Sequence, residues 1–476
     1  MPTKIFAAAG LVALLTGCAT VGPDFKVPAA PTVAGFAMAA DAAPKIDTTA
    51  HPSGAWWTAF GSSQLDAVMA QALKGNQTLA KANATLERAK EDYNVLEDLR
   101  TPHVDGTAGA MHERINIKAF GLADGPLANV ENPTTTLYSA GAGVSYDLDL
   151  YGAGRRGREA GRARIERDAH KADAAYLALT GQVAMMAVRI GALRGQITAA
   201  QAVVADDQQT VDIANKAEVA GSEAPANLSP SAAQLAADRA QIPPLQAQLA
   251  QARHALALLV GQAPGSWTAP DFDMASFRVP TQIPASIPSE LVRRRPDILA
   301  AEAELHAATA EIGVQTAKLY PDLKLNAGFN QGALELGKIF SYDSTGWNFG
   351  PQLVLPIIDG GRRKATIAGA QAEARVADAQ YKQTVLTAFS QVADALDTLG
   401  RDDEVIKAVG DQVASAQDSF TNAQKAYELG GGTLLSVVNA QRQLSRVRRD
   451  LARVQGDRYA HIVALFTAVA ADWRQS

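Results

Sequence analysis

Cysteine is almost missing from this chain: Cys18 is the only one in 476 residues. No internal disulfide can form, so stability has to come from packing or from assembly. A dominant charge is missing too. The 44 basic side chains face 49 acidic ones, a formal net charge of −5, which leaves none of the basic footprint that nucleic acid requires. Nucleic acid is excluded as a partner. After Cys18 no stretch approaches the ~18 consecutive apolar residues of a membrane helix, so any crossing of a bilayer falls to strands or to a covalent lipid. Ligand spacing is absent as well. His51, His103, His112, His170, His254, His306 and His461 form no His-Glu-x-x-His pattern and have no cysteine to help them, and no Ser/His/Asp arrangement is discernible. The expectation is a protein without metal or bound cofactor, and not an enzyme.

Met1-Pro2-Thr3-Lys4 and the apolar run from Ile5 to Leu15 read as an export signal, a charged start followed by a segment too short to span a bilayer. The run ends in Leu15-Thr16-Gly17-Cys18, which resembles the lipobox of bacterial lipoproteins. That resemblance implies cleavage after Gly17 and a covalent lipid on Cys18.

The rest divides by proline. Residues 1–17 are assigned to the signal peptide and 18–60, rich in Ala and Pro, to an extended acylated leader. Pro264, Pro270, Pro280, Pro284 and Pro288 mark a linker over 263–288, between a first repeat at 61–262 and a second at 289–472, with a short tail at 473–476. The two halves are copies: adding 219 carries Ala82, Ala84, Leu86, Ala89, Pro102 and Ala108 onto Ala301, Ala303, Leu305, Ala308, Pro321 and Ala327. Farther on the offset becomes 207, placing Gly154-Arg155-Arg156 on Gly361-Arg362-Arg363. Each copy reads as a helix, two strands and a long helix hairpin.

The fold class is α+β. From Tyr138 to Leu150 apolar residues (Tyr138, Ala140, Ala142, Val144, Tyr146, Leu148 and Leu150) alternate with Ser139, Gly141, Gly143, Ser145, Asp147 and Asp149. Leu323, Leu325, Ala327 and Phe329 repeat the pattern, as do Trp347, Phe349 and Leu353; the strand near Val104 to His112 is the weakest. Such alternation suits a membrane barrel or a half-buried soluble sheet. Four strands per chain leave open edges, so a barrel requires several subunits. No proline interrupts Gly154 to Gly221 or Gly361 to Gly430, and each span predicts ~100 Å of helix at 1.5 Å per residue. Pro243-Pro244 predicts a kink or break.

Two local patterns invite an enzymatic reading. Gly152-Ala153-Gly154-Arg155-Arg156-Gly157 spells a dinucleotide fingerprint, but the preceding strand alternates and the following helix is too long for a crossover unit, so the glycines are read as a helix start. Asp147 and Asp149, placed on one strand face, are read as solvated lumen charges rather than an acid/base pair.

Several stretches in fixed order carry a wider resemblance: Cys18-Ala19-Thr20-Val21-Gly22-Pro23-Asp24-Phe25, Trp56-Trp57, Tyr146-Asp147-Leu148-Asp149-Leu150-Tyr151-Gly152, Arg295-Pro296-Asp297-Ile298, Ala301-Glu302, Tyr320-Pro321 and Leu355-Pro356-Ile357-Ile358-Asp359-Gly360-Gly361-Arg362. Through them the chain resembles the TolC/OprM-like outer-membrane efflux family, in particular its NodT-type lipoprotein branch. The resemblance implies a homotrimer in outer-membrane lipid whose chains each give four strands to a 12-stranded transmembrane β-barrel, continued by a long α-helical barrel in the periplasm. It also implies docking to a periplasmic adaptor protein and an inner-membrane transporter of the resistance-nodulation-division type, the whole acting as a passive exit duct for small molecules. Gly221, Ser222 and Glu223, with Gly430, Gly431, Gly432 and Thr433, match the tips where an adaptor docks. The periplasmic aperture falls on Leu435, Asn439 and Arg442, with Asn439 standing where the family usually has Asp. The rival readings are a lipid-anchored periplasmic coiled-coil scaffold, which the long helices alone permit, and a periplasmic oxidoreductase resting on the glycine triplet.

Overall fold

A computed structural model describes residues 20–29, 55–114, 116, 134–220, 228–280 and 288–469. In chain order its elements are α1 (Ser63–Gly75), α2 (Gln77–Asp98), β1 (His103–Arg114), β2 (Thr134–Asp147), α3 (Ala153–Val219), α4 (Leu228–Arg239) and α5 (Ile242–Val260). There follow α6 (Pro288–Arg294), α7 (Pro296–Ala317), β3 (Asp322–Ala333), β4 (Thr345–Val354), α8 (Arg362–Glu428) and α9 (Leu434–Ala468). The chain is mostly helical with one small antiparallel sheet, and it separates into two compact units.

The first unit draws on residues 1–27, 87–167 and 302–380. Its sheet runs β1-β2-β3-β4 in chain order, every neighbour antiparallel, and the outer edges of β1 and β4 have no strand partner among the described residues. Register sorts the side chains. Val104 sits opposite Val144, Val144 opposite Ala327 and Ala327 opposite Phe349, while Ala142, Phe329 and Trp347 form the next row. The other face carries His103 and Ser145, Asp147 and Lys324, Asn326 and Gly350. Side chains alternate with period two and cross-strand partners share a face, so one side is mainly apolar and the other mainly polar, with Met111 opposite Leu137 on the polar side and His112 and Arg114 on the apolar one. The rings of the apolar side lie open to the surroundings: Phe349 and Trp347 are 75% and 78% accessible.

Two sequence expectations change here. The strand ends at Asp147 rather than Leu150, and Asp149 does not share its face. Asp149 takes a left-handed backbone, φ 45°, and its carboxylate accepts the N–H groups of Gly154 and Arg155 at 2.8 and 2.9 Å. It therefore caps α3, satisfying donors that a helix start leaves orphaned. The fingerprint glycines thus open a helix whose first amides are already held by the chain's own carboxylate.

The second unit draws on residues 28–86, 168–301 and 381–476 and holds a conventional core. Trp56 stacks on Phe466 at 5.4 Å and donates its indole N–H to Thr180 at 3.4 Å, and Phe60, Leu65, Met69, Ile190, Leu256 and Phe272 are fully buried around them. Burying each such side chain contributes ~1.5–3 kcal/mol. The short helical turn Trp56–Phe60 belongs to this core, which therefore starts inside the 18–60 segment read as leader. Small residues set the helix spacing: a Cβ on Gly181 collides with Thr467, and one on Gly456 collides with Ala192, so α3 and α9 meet almost backbone to backbone.

α3 and α8 are each 67 residues long, about 100 Å at 1.5 Å per residue. Pro243 and Pro244 lie in the first turn of α5, after a break at Ala240 and Gln241. There the missing N–H groups belong to donors without intrahelical partners. The expectation about apolar runs is corrected. α3 is the one described helix long and apolar enough, by length and composition, to cross a membrane. Scattered glycines, alanines and polar residues hide the window from a count of consecutive apolar residues. Its apolar side chains, Leu179, Val183, Ala187, Val188 and Leu193, are buried in the second unit's core.

Candidate functional site: the two-faced sheet, the leader clasp and the helical tip

Three arrangements stand out. The first is the sheet of the first unit. Glycine is frequent on its polar face, and at two positions nothing larger fits: a Cβ on Gly328 meets the Asn348 side chain at 2.5 Å, and one on Gly141 meets the Phe329 carbonyl at 2.8 Å. Asn326 donates to Gln352 across the strands at 2.9 Å. This face offers hydrogen bonds to water and its opposite offers aromatic rings, the division that a wall between lumen and lipid requires.

The second arrangement clasps the leader, also within the first unit. Val21 donates its backbone N–H to the Tyr151 carbonyl at 3.2 Å. Arg156, almost wholly buried, donates to the carbonyls of Val21 and Gly22 at 3.2 Å and to Asp24 and Glu159 at 2.6 and 2.7 Å. Phe25 stacks on His306 at 4.4 Å, and His306 meets Glu159 at 3.1 Å. Gly22, at φ 95°, lies so close to Gly313 that a side chain on either collides. These contacts fasten the segment just beyond Cys18, although Cys18 itself lies outside the described residues.

The third is the end of the long hairpin α8–α9 in the second unit. Gly430 has φ 76°, with its N–H donating to Tyr427 and that of Gly431 to Ala426, both at 2.9 Å. This is a Schellman stop, in which the left-handed position favours glycine. Thr433 then caps α9, its hydroxyl accepting from the Ser436 N–H at 3.2 Å. Leu434, Val437, Val438, Gln441 and Leu444 turn inward, whereas Leu435, Asn439 and Arg442 lie exposed. Positions i, i+4 and i+7 share one side of a helix, so these three form a single exposed stripe. Arg442 donates to Gln234 of α4 at 2.7 Å. Gly221, Ser222 and Glu223, the other expected tip, lie outside the described residues.

Behind the stripe runs a polar network between helices. Thr210 donates to Gln441 at 2.6 Å, Arg448 bridges Asp206 and Gln417 at 3.0 and 2.7 Å, and Arg449 holds Asp238 at 2.7 Å. Asp207 is buried against Asp238, with which it shares a hydrogen bond, and its second oxygen has no partner. Burial, then the neighbouring carboxyls of Asp238 and Asp206, push Asp207 up from 3.8 to about 7, against the pull of Arg449. Nothing in the sequence spacing announced this pair, nor the clasp formed by Arg156, Glu159 and His306. Among the described residues no group of three or more His, Cys, Asp or Glu is placed to hold a metal.

A profile described as outer membrane efflux protein matches the chain twice, over residues 68–262 and 287–471. The chain belongs to the outer membrane efflux protein family. Relatives of full length agree: the cation efflux system protein CusC of Escherichia coli O6:H1 is 28% identical, with 97% of each chain covered. The probable outer membrane lipoprotein SilC of Salmonella typhimurium is 26% identical over 97% of both. Among solved structures, the outer-membrane channel OprN superposes with a TM-score of 0.85 at 28% identity, covering 95% of this chain and 99% of that one. The protein is accordingly an efflux channel of the outer membrane.

Proposed function

We propose that three copies pool their sheets into a twelve-stranded barrel, continued by a helical tunnel into the periplasm, and that the assembly is a passive exit duct for small molecules. The observation that carries this reading is the four-stranded sheet: one face carries exposed aromatic rings, the other is mainly polar, and neither outer edge has a strand partner among the described residues. In lipid every backbone donor must be paired, and closure with further copies pairs the edges. A duct of this kind needs no catalytic group and no cofactor beyond a lipid on Cys18. The internal duplication, with repeats at 61–262 and 289–472 joined by the 263–288 linker, supplies the tunnel with two long hairpins per chain.

The periplasmic end is the gate. Leu435, Asn439 and Arg442 are read as its lining, closed by an apolar ring and by hydrogen bonds rather than by the usual carboxylates. An adaptor docking at Gly221 to Glu223 and Gly430 to Thr433 shifts the gate toward open, and an inner-membrane pump of the resistance-nodulation-division type supplies the energy. Heat-modifiable trimers on gels and ion current in planar bilayers test the duct; a soluble, non-conducting delipidated monomer rejects it in favour of a periplasmic scaffold. Leu435→Ala and Asn439→Ala each raise the open fraction in single-channel records, and unchanged closure in both removes these residues from the gate.

A further inference from the structure

In the first unit a cavity of about 1030 Å³ opens where the strands end and the two 67-residue helices begin. The sheet contributes its polar face to the wall, through His103, Ser145, Asp147 and Lys324. Cations prevail around this cavity. Glu97 alone serves both Arg100, at 2.6 Å, and Arg158, at 3.6 Å. Asp149 is engaged by the first amides of α3, with Arg155 3.7 Å away. Asp359 likewise caps α8, accepting from Gly361 and Arg363 amides, while also pairing the Arg363 guanidinium at 3.0 Å. These contacts hold its carboxyl below the usual range, the Arg363 amide contributing most.

Asp322 pairs Lys324 at 3.3 Å, which leaves Arg362 and Lys318. Both are exposed on the cavity wall, with no carboxylate within 4.0 Å among the described residues. Including Asp147, five carboxylates meet seven cationic side chains, and two of the five are already committed to helix starts. The N-termini of α3 and α8 add partial positive charge of their own. By register Asp105 and Glu113 return the polar face to acidity farther along the strands, so the excess is a band confined to this junction.

We propose that this cavity is a binding site for the anionic oxygens of a phosphate- or carboxylate-bearing solute on its way out. The inference rests on the duct reading above. A wide lumen screens charge, because the Debye length is ~8 Å at physiological salt; a solute inside a cavity about 10 Å across is only about 5 Å from its wall, within that range. The gate stripe, with Arg442 and no carboxylate, does not turn such a solute away.

The test is block of the purified trimer's current in planar bilayers by inorganic triphosphate, titrated at low and high salt. Wild-type current is blocked, and the block weakens as salt rises. Charge reversal at both exposed positions, Arg362→Glu with Lys318→Glu, weakens it roughly tenfold or more, Arg362→Gln alone weakens it roughly threefold, and Lys407→Glu on the distant part of α8 leaves it unchanged. A conducting channel that triphosphate does not block overturns the site while leaving the duct intact, as does equal block of all variants. Absence of any current overturns the duct reading and the site with it.

Discussion

Trp56 and Trp347 carry the same indole to opposite ends of burial, 1% and 78% exposed. Around Trp56 the second unit resembles any soluble core, with rings stacked and the indole N–H bonded. Around Trp347 the sheet of the first unit has no such core: its aromatic side chains pair across strands and face outward. The same residue types do opposite work because the second unit finds apolar partners within its own chain, whereas the sheet needs a medium that is itself apolar. On the barrel reading, exposure on the sheet's aromatic face measures membrane, whereas in the second unit it measures water.

Substitutions separate the two regimes. The largest effect is expected at Trp56→Ala, which empties a fully packed site and removes a stacked ring; a loss of ~3–5 kcal/mol in thermal or denaturant unfolding is predicted. A drop under 1 kcal/mol would mean that the second unit is not held by this core. Phe349→Arg is next. In a soluble sheet an arginine at a position this exposed is harmless, but on a lipid-facing wall it costs ~2–4 kcal/mol, read as failure of vesicle-assisted folding with the helical signal retained. Normal insertion of this variant breaks the comparison.

The smallest effect concerns the buried carboxyl pair. Asp207 is raised in the folded chain, from 3.8 to about 7, so its contribution is fully present below pH 4 and is lost as pH climbs through 7. Unfolding midpoints of the wild type, compared with Asp207→Asn, are expected to diverge over that window by the equivalent of ~1–2 kcal/mol, with the variant's profile flatter. Parallel pH profiles contradict the assignment.

Much of this architecture was legible in the residues, for identifiable reasons. Period-two alternation located β2, β3 and β4 and gave their faces, since a strand's pleat leaves no other choice. Proline-free spans marked both long helices, and Pro243-Pro244 marked a helix start. What escaped depends on distance along the chain. Asp149 looked like a strand residue until its left-handed backbone turned it into a cap, and Trp56 looked like leader until Phe466, some four hundred residues later, stacked on it. Arg156 sat inside a misleading glycine motif, its true partners 132 to 135 residues upstream. At the tip, Leu435, Asn439 and Arg442 were singled out by the family resemblance alone, whereas the Asp207–Asp238 contact followed from nothing local.

The open borders of β1 and β4 also bear on manufacture in the cell. A newly exported copy travels with two unsatisfied hydrogen-bonding rims and a flank of bare aromatics, the profile of an aggregation template. In the proposed trimer these rims pair with sister copies, so yield is expected to follow how quickly the copies meet. Overproduction is expected to fail by precipitation in the periplasm well before the fold itself becomes limiting.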